Sequence, residues 1–261
     1  MRFQITLEVL KPGQMLPLSY QYEISSWIYK LISRTDSAFG EFLHSQGYWD
    51  GKKRFKFFTF SNLWIPPRYE IQGDRIQVFS KEISFVISFL VPEAAHHMIS
   101  GLFTEEQFRL GDRKSSLDLQ VIQIRSLALP PAQRQMLFKT TSPLVVSKPQ
   151  EDPSGRLHHK YLPPDDPSYS QYFFQNLKKK YDLAVKHNLV AAVEDVGFPQ
   201  FQLSEGKVKK QGVIIKAHTP AQTKVIGYMY NFQLTAPEEW IRVGMLAGFG
   251  EENAQGFGAT R

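Results

Sequence analysis

The chain has 261 residues, 42% of them hydrophobic and none of them cysteine, with 31 Lys and Arg against 25 Asp and Glu for a formal charge of +6. That length and apolar content suffice for one large domain or two compact ones with a real core, while the lack of Cys excludes disulfides, thiolate metal ligands and a cysteine nucleophile. The positive excess favours an acidic partner, of which nucleic acid is the commonest; with no apolar run near membrane-span length and no signal-type stretch in "MRFQITLEVL", the expected location is the cytoplasm.

In that first segment Phe3, Ile5, Leu7 and Val9 alternate with polar residues, the period of a strand with one buried face. After "KPGQMLP" the period changes: Ile24, Trp27, Ile28, Leu31 and Ile32 fall at helical spacing, and a short helical patch, "SAFGEFLH", follows. "FKFFTFSNLWI", "RIQVFS" and "ISFVISFLV" read as strands, with a turn at Gly73-Asp74. Pro92 opens a helix, and "SLDLQVIQIRSL" alternates as a closing strand. The order is that of a split βαβ, ferredoxin-like unit, ending near the prolines of "LALPPAQ".

A second unit is expected beyond that linker, giving an α+β chain of two tandem ferredoxin-like domains, 1–128 and 129–261, with antiparallel sheets and helices on one face. "QRQMLFKTTSPLVV" reads as a strand and turn, and residues 147–167 as a polar loop. A helix follows with Tyr169, Phe173, Leu177, Tyr181 and Ala184 on its apolar stripe, and Lys178, Lys179 and Lys180 mostly off it. "FQLSEGKVKKQGVIIKAH" is read as a hairpin turning at Glu205-Gly206, "KVIGYMYNFQL" as one strand, and "PEEWIRVGML" as a helix begun by Pro237.

The last fourteen residues, "GFGEENAQGFGATR", hold four glycines. They form neither a Walker loop, which needs G-K-[ST] opening a helix, nor a dinucleotide fingerprint, which follows the first strand of a βαβ unit. A loop whose amides face a ligand and a plain strand connection both fit. His44 precedes Lys52, Lys53, Arg54 and Lys56, and a histidine beside cations suits the proton transfers and charge neutralisation of RNA cleavage by a 2′-hydroxyl. It equally suits a histidine packed near a basic surface loop. Tyr29 lies beyond the edge of the apolar stripe, open to a phosphate or simply capping the core. His96-His97 and His158-His159 lack further ligands at metal spacing, so no metal is expected. In the hairpin, alternation puts Lys207 and Lys209 on one face and Lys210 and Lys216 on the other, for gripping a phosphate backbone or guarding an edge strand.

These pieces resemble the CRISPR-associated repeat-RNA endoribonucleases of the RAMP superfamily, the sixth Cas family (Cas6-like). The family signature G-h-G-x5-G-h-G, with h apolar, stands here complete as Gly248-Phe249-Gly250, "EENAQ", Gly256-Phe257-Gly258. "MRFQITLEV", "WIYKLI", "FLHSQG" and "KFFTFS" extend the likeness over nearly the whole chain. The resemblance implies two ferredoxin-like domains with RNA in the cleft between them, and metal- and cofactor-independent cleavage of CRISPR repeat RNA to 2′,3′-cyclic phosphate and 5′-hydroxyl ends. It implies Tyr29, His44 and Lys56 as catalytic residues. RNA-binding candidates are Lys52, Lys53, Arg54, Lys207, Lys209, Lys210, Lys216 and the signature glycines Gly248, Gly250, Gly256 and Gly258. The implied partners are precursor and mature guide RNA and other Cas proteins of an effector complex, with no membrane. Two departures stand out: Glu252 where relatives often carry a base, and the insertion "GYWDGKKR", which leaves Lys52 and Lys53 as alternative cations to Lys56. The rival reading is an RNA-holding subunit of the same superfamily without catalysis; a third is a small-molecule enzyme on the same scaffold.

Overall fold

The computed structural model describes residues 1–104, 107–152, 154–194, 197–217 and 219–261. Its first half runs β1 (Arg2–Val9), β2 (Met15–Pro17), α1 (Gln21–Thr35), α2 (Ser37–Glu41), β3 (Tyr48–Trp49), β4 (Arg54–Phe55) and β5 (Phe58–Phe60). It continues with β6 (Tyr69–Gln72), β7 (Arg75–Val78), β8 (Glu82–Phe89), α3 (Pro92–Leu102), β9 (Gln107–Gly111) and β10 (Ser116–Ser126). β1 lies between β8 and β10, antiparallel to both, in a sheet of order β5-β8-β1-β10-β9. Alternation along β1 brings Phe3, Ile5 and Leu7 level with Ile87, Phe85 and Ile83 on one face. Against that face α1 sets Trp27, whose ring meets Phe85 edge-on and stacks on Phe108 at 4.2 Å. Taken as β1-α1-β5-β8-α3-β10, this is the ferredoxin-like βαββαβ unit with β9 added at one edge.

The second half runs β11 (Gln135–Lys139), β12 (Ser147–Glu151), β13 (Leu157–Tyr161), α4 (Tyr169–Lys186), β14 (Gln200–Leu203) and β15 (Lys209–Ile215). β16 (Thr223–Met229), β17 (Asn231–Thr235) and α5 (Glu238–Ala247) follow. The sheet order is β11-β17-β14, and the glycine-rich segment completes it. Thr260 bridges Thr140 antiparallel, and Lys139 and Arg261 exchange backbone hydrogen bonds of 2.9 Å. The last residues thus act as a fourth strand beside β11, so the strand order of the first unit is repeated. Phe138, Phe173, Phe232 and Phe249 pack ring to ring in the core of this unit. Buried Arg2 ties the halves together, donating to Ser88 Oγ at 2.9 Å and to Met245 O, near the end of α5, at 2.8 Å.

Four expectations need correction. Residues 147–167 are not all loop: β12 and β13 form a hairpin, hidden from a periodicity reading because it is polar on both faces. No hairpin turns at Glu205-Gly206, since β14 pairs with β17 and β15 with β16. Phe201 is drawn to the rings of Tyr169 and Phe173, while Val213 joins a separate cluster with Val145, Val225 and Phe257. Lys207 therefore precedes the strand, and Lys216 ends it at φ +53°. The span 224–234 breaks at Tyr230, a buried ring whose backbone N–H donates to Thr140 Oγ1 at 2.9 Å. "FKFFTFSNLWI" is not one strand: Phe55 ends β4 and Phe58–Phe60 forms β5, because Phe57 between them adopts a left-handed φ of +54°, a strain of roughly 1–3 kcal/mol.

Candidate active site

The chain between α1 and β5 builds one wall of a cleft. Asp36 ends α1 and caps α2, accepting from Phe39 N–H at 2.8 Å through its carboxylate. The helix then widens into a π-helical turn at Phe42–Gln46, which Gly47 stops at φ +58° by donating to Phe42 O at 2.6 Å. His44 stands exposed on this turn. Its ring meets Tyr29 edge-on, centroids 5.0 Å apart. Of the two readings of Tyr29, an open side chain or one at the edge of the core, the structure has the second: it is half-buried, its ring centroid 5.7 Å from that of Phe58. Burial pushes its hydroxyl well above the ordinary tyrosine range, which keeps the proton on and makes it a hydrogen-bond donor.

Lys56 completes the group. Its ammonium donates to the main-chain carbonyl of His44 at 2.7 Å. A Cβ at position 47 would sit 2.9 Å from Lys56 Nζ and 2.8 Å from Phe55 O, so glycine there is what lets the lysine lie across the turn. Burial, then the charge of Arg54, pulls the Lys56 amine down to about 8. A role that needs the charged form is then lost as pH rises through 8 instead of near 10.5. Cleavage is expected to decline above pH 8, and Lys56→Arg, which keeps its charge, is expected to abolish that decline. An identical alkaline limb in the variant would remove Lys56 from the chemistry.

The other cations are distributed unevenly. Lys53 donates to Glu251 Oε1 at 2.5 Å, and Ser147 Oγ donates to Glu251 Oε2 at 2.6 Å while lying 3.2 Å from His159 Nδ1. This network links β4's approach to the β12/β13 hairpin and the glycine loop across the cleft. Arg54 donates to Ser45 O at 2.7 Å and lies over the Trp49 ring. Lys52 points elsewhere, beside Asp50, Lys179 and Lys186. Lys216 reaches the cleft, whereas Lys207, Lys209 and Lys210 are exposed outside its lining.

The cleft encloses about 800 Å³ between the two units, with Tyr29, His44 and Lys56 on one side and Ser147, His159 and Glu251 on the other. Gly250 lines it; Gly248, Gly256 and Gly258 are buried behind, all with positive φ. Several loop amides are spent within the protein: Phe249 N–H donates to Gly258 O, Glu251 N–H to Val145 O, and Gly258 N–H to Pro143 O, each at 2.8–2.9 Å. The loop is held from below by Lys180. This residue, expected mostly off the apolar stripe, is only 2% exposed and donates to Gly248 O, Gly250 O and Asn253 Oδ1 at 2.5–2.6 Å. Burial pulls its amine down to about 7, with Glu251 opposing. Sequence reading missed Lys180, Ser147, Glu251 and the second histidine, His159, which had been weighed only as a metal ligand. Among the described residues no group of three or more His, Asp or Glu is placed to hold a metal ion, and no helix is long and apolar enough to cross a membrane.

Two ferredoxin-like units in tandem, with a basic cleft between them and a glycine-rich loop closing the second, define a protein of the RAMP class. The family models agree. That for "CRISPR associated protein Cas6, C-terminal" matches residues 127–261, and that for "CRISPR-associated protein Cas6, N-terminal" matches residues 15–119. The chain belongs to the Cas6 family. It is 26% identical over 262 residues to a "Putative CRISPR-associated endoribonuclease-like protein Cas6" of Pyrococcus furiosus, covering 100% of this chain and 98% of that one. It is 25% identical to "CRISPR-associated endoribonuclease Cas6 1" of Methanocaldococcus jannaschii, covering 94% and 86%. Among solved structures, one described as an RAMP protein binding different RNA substrates has the same fold, with a TM-score of 0.80 at 22% identity over 100% of this chain and 98% of that one.

Proposed function

We propose that this protein is the endoribonuclease that cuts CRISPR repeat RNA in the precursor transcript to make guide RNAs. The reading is carried by one observation: Tyr29 of α1, His44 of the π-helical turn and Lys56 next to β4 meet on one wall of a basic cleft. In the reaction the ribose 2′-oxygen bonds to the adjacent phosphorus as the bond from phosphorus to O5′ breaks. A proton leaves O2′ and one arrives on O5′. His44 and Tyr29 move or hold these protons, and Lys56 offsets the charge building on the phosphorane. No metal or cofactor is required, because side chains fill each role. Lys53, Arg54 and Lys216 hold the RNA backbone within the cleft, and Lys52, Lys207, Lys209 and Lys210 attract it from outside. Gly248, Gly250, Gly256 and Gly258 shape the surface on which it rests. The two units divide near residues 128 and 129, at the proline linker, and the protein acts in the cytoplasm, where it hands guide RNA to other Cas proteins.

The test is cleavage of a labelled repeat RNA in excess EDTA. One cut that survives the chelator and leaves a 2′,3′-cyclic phosphate and a 5′-hydroxyl is the expected result. Cleavage that needs added magnesium, or that leaves a free 3′-hydroxyl, would overturn the mechanism.

A further inference from the structure

The floor of the cleft differs in chemistry from its walls. Asn176, on α4 one turn before Lys180, lines the cleft and is 92% buried, since its exposure is 8%. Its Oδ1 has no hydrogen-bond partner among the described residues. Gln255, on the short turn Asn253–Gln255 that packs against α1 and β5, also lines the cleft, and its Oε1 is likewise buried without a partner. A buried carbonyl oxygen left unpaired is costly, and such groups in folded proteins are ordinarily satisfied. Two of them, on side chains that line one cavity, mark a place where a donor is supplied from outside once the amides turn toward it.

The donor's class follows from the charges. Phosphate oxygens are acceptors and would be repelled by amide oxygens; of the cations lining the cleft, Lys53, Arg54 and Lys56 stand on the wall, and Lys180, one turn from Asn176, already gives its ammonium to three oxygens of the glycine loop. What single-stranded RNA can send deeper is a splayed base, whose amine carries N–H donors, and amide side chains are well suited to base edges.

We infer that Asn176 and Gln255 form a base-reading subsite in the floor of the cleft, accepting from the exocyclic amine of one adenine or cytosine next to the cut. The inference rests on the repeat-RNA reading and adds to it a source of sequence preference that is separate from the catalytic group.

The experiment is a double-mutant cycle between protein and RNA. Each adenosine or cytidine within a few nucleotides of the cut is replaced by purine riboside or pyrimidin-2-one riboside, which lack the amine. Cleavage efficiency and Kd are measured with wild type, Asn176→Leu and Gln255→Leu. One analogue is expected to lower kcat/KM by roughly tenfold with wild type, the scale of one hydrogen bond to a buried acceptor. Either variant should lose a similar factor on natural RNA and show little further loss on the analogue. Because leucine replaces an unpaired polar group, the melting temperature of Asn176→Leu should be unchanged or raised. A lowered melting temperature with the analogue penalty intact would make Asn176 a structural strut. Sensitivity to a 2′-deoxy substitution at a nucleotide not being cut, without any amine effect, would assign the floor to ribose. Both results overturn the proposal. Should wild type bind without cutting, the enzymatic reading fails, and the same cycle read on Kd still decides the base contact.

Discussion

Replacing His44 with alanine is expected to slow repeat-RNA cleavage by about 10²- to 10⁴-fold, the usual contribution of a positioned proton-transfer group, while leaving the melting temperature unchanged. The separation of these effects follows from where the side chain sits. His44 is exposed, and its ring touches the protein through the edge of Tyr29. The turn beneath is held by main-chain contacts that the substitution keeps: Gly47 N–H to Phe42 O, and Lys56 to the carbonyl of residue 44 itself. On the proposed reading the cleft cations Lys53, Arg54 and Lys216 supply the RNA affinity, which should change little. Single-turnover rates and Kd measured on the same RNA separate the two. Cleavage retained within tenfold of wild type would send the acid-base role elsewhere, with His159 across the cleft the first candidate.

What could be read in advance was whatever leaves a local pattern. β1 and α1 announce themselves because one face of each is apolar at period 2 or 3.6, and His44 and Lys56 fall close enough in sequence for their chemistry to be guessed together. The opposite wall left no such trace. Ser147 meets Glu251 across 104 residues, and Lys53 meets it across 198. The β12/β13 hairpin carrying His159 is polar on both faces, so alternation never shows. Lys180 does carry a local signal. It lies seven residues after Phe173, almost on the same line of the helix, but a lysine is expected in water. Three oxygens turned inward by the glycine loop reverse that expectation. Similarly, the glycine signature suggested amides offered to a ligand, yet its carbonyls are turned to a buried ammonium and several of its amides to neighbouring backbone.

That inversion makes Gly258→Ala the most damaging single methyl group that can be added to the molecule's last segment. Gly258 sits at φ +74°, where a side chain costs roughly 1–2 kcal/mol. Its Cβ would also lie 1.9 Å from Phe249 O, so the backbone must move, adding roughly 1–3 kcal/mol of overpacking. The displaced carbonyl also accepts from Asn253 Nδ2 at 2.9 Å, and Asn253 Oδ1 is one of the three oxygens holding Lys180. Strain at Gly258 therefore passes through Asn253 to the buried ammonium, and from there to Gly250 and the cleft. A loss of about 4 kcal/mol is expected, lowering the melting temperature by roughly 10 °C for a chain of this size, with cleavage impaired even below the transition. Gly155→Ala is the matched control. Its φ is +78°, but no atom lies within 4 Å of the added carbon, so only the conformational cost remains. Thermal denaturation of the two variants side by side measures the packing alone. Equal shifts would mean that the signature glycine serves only backbone conformation; a much larger shift at 258, accompanied by lost cleavage, would make the close approach of the loop's two arms the reason glycine stands there.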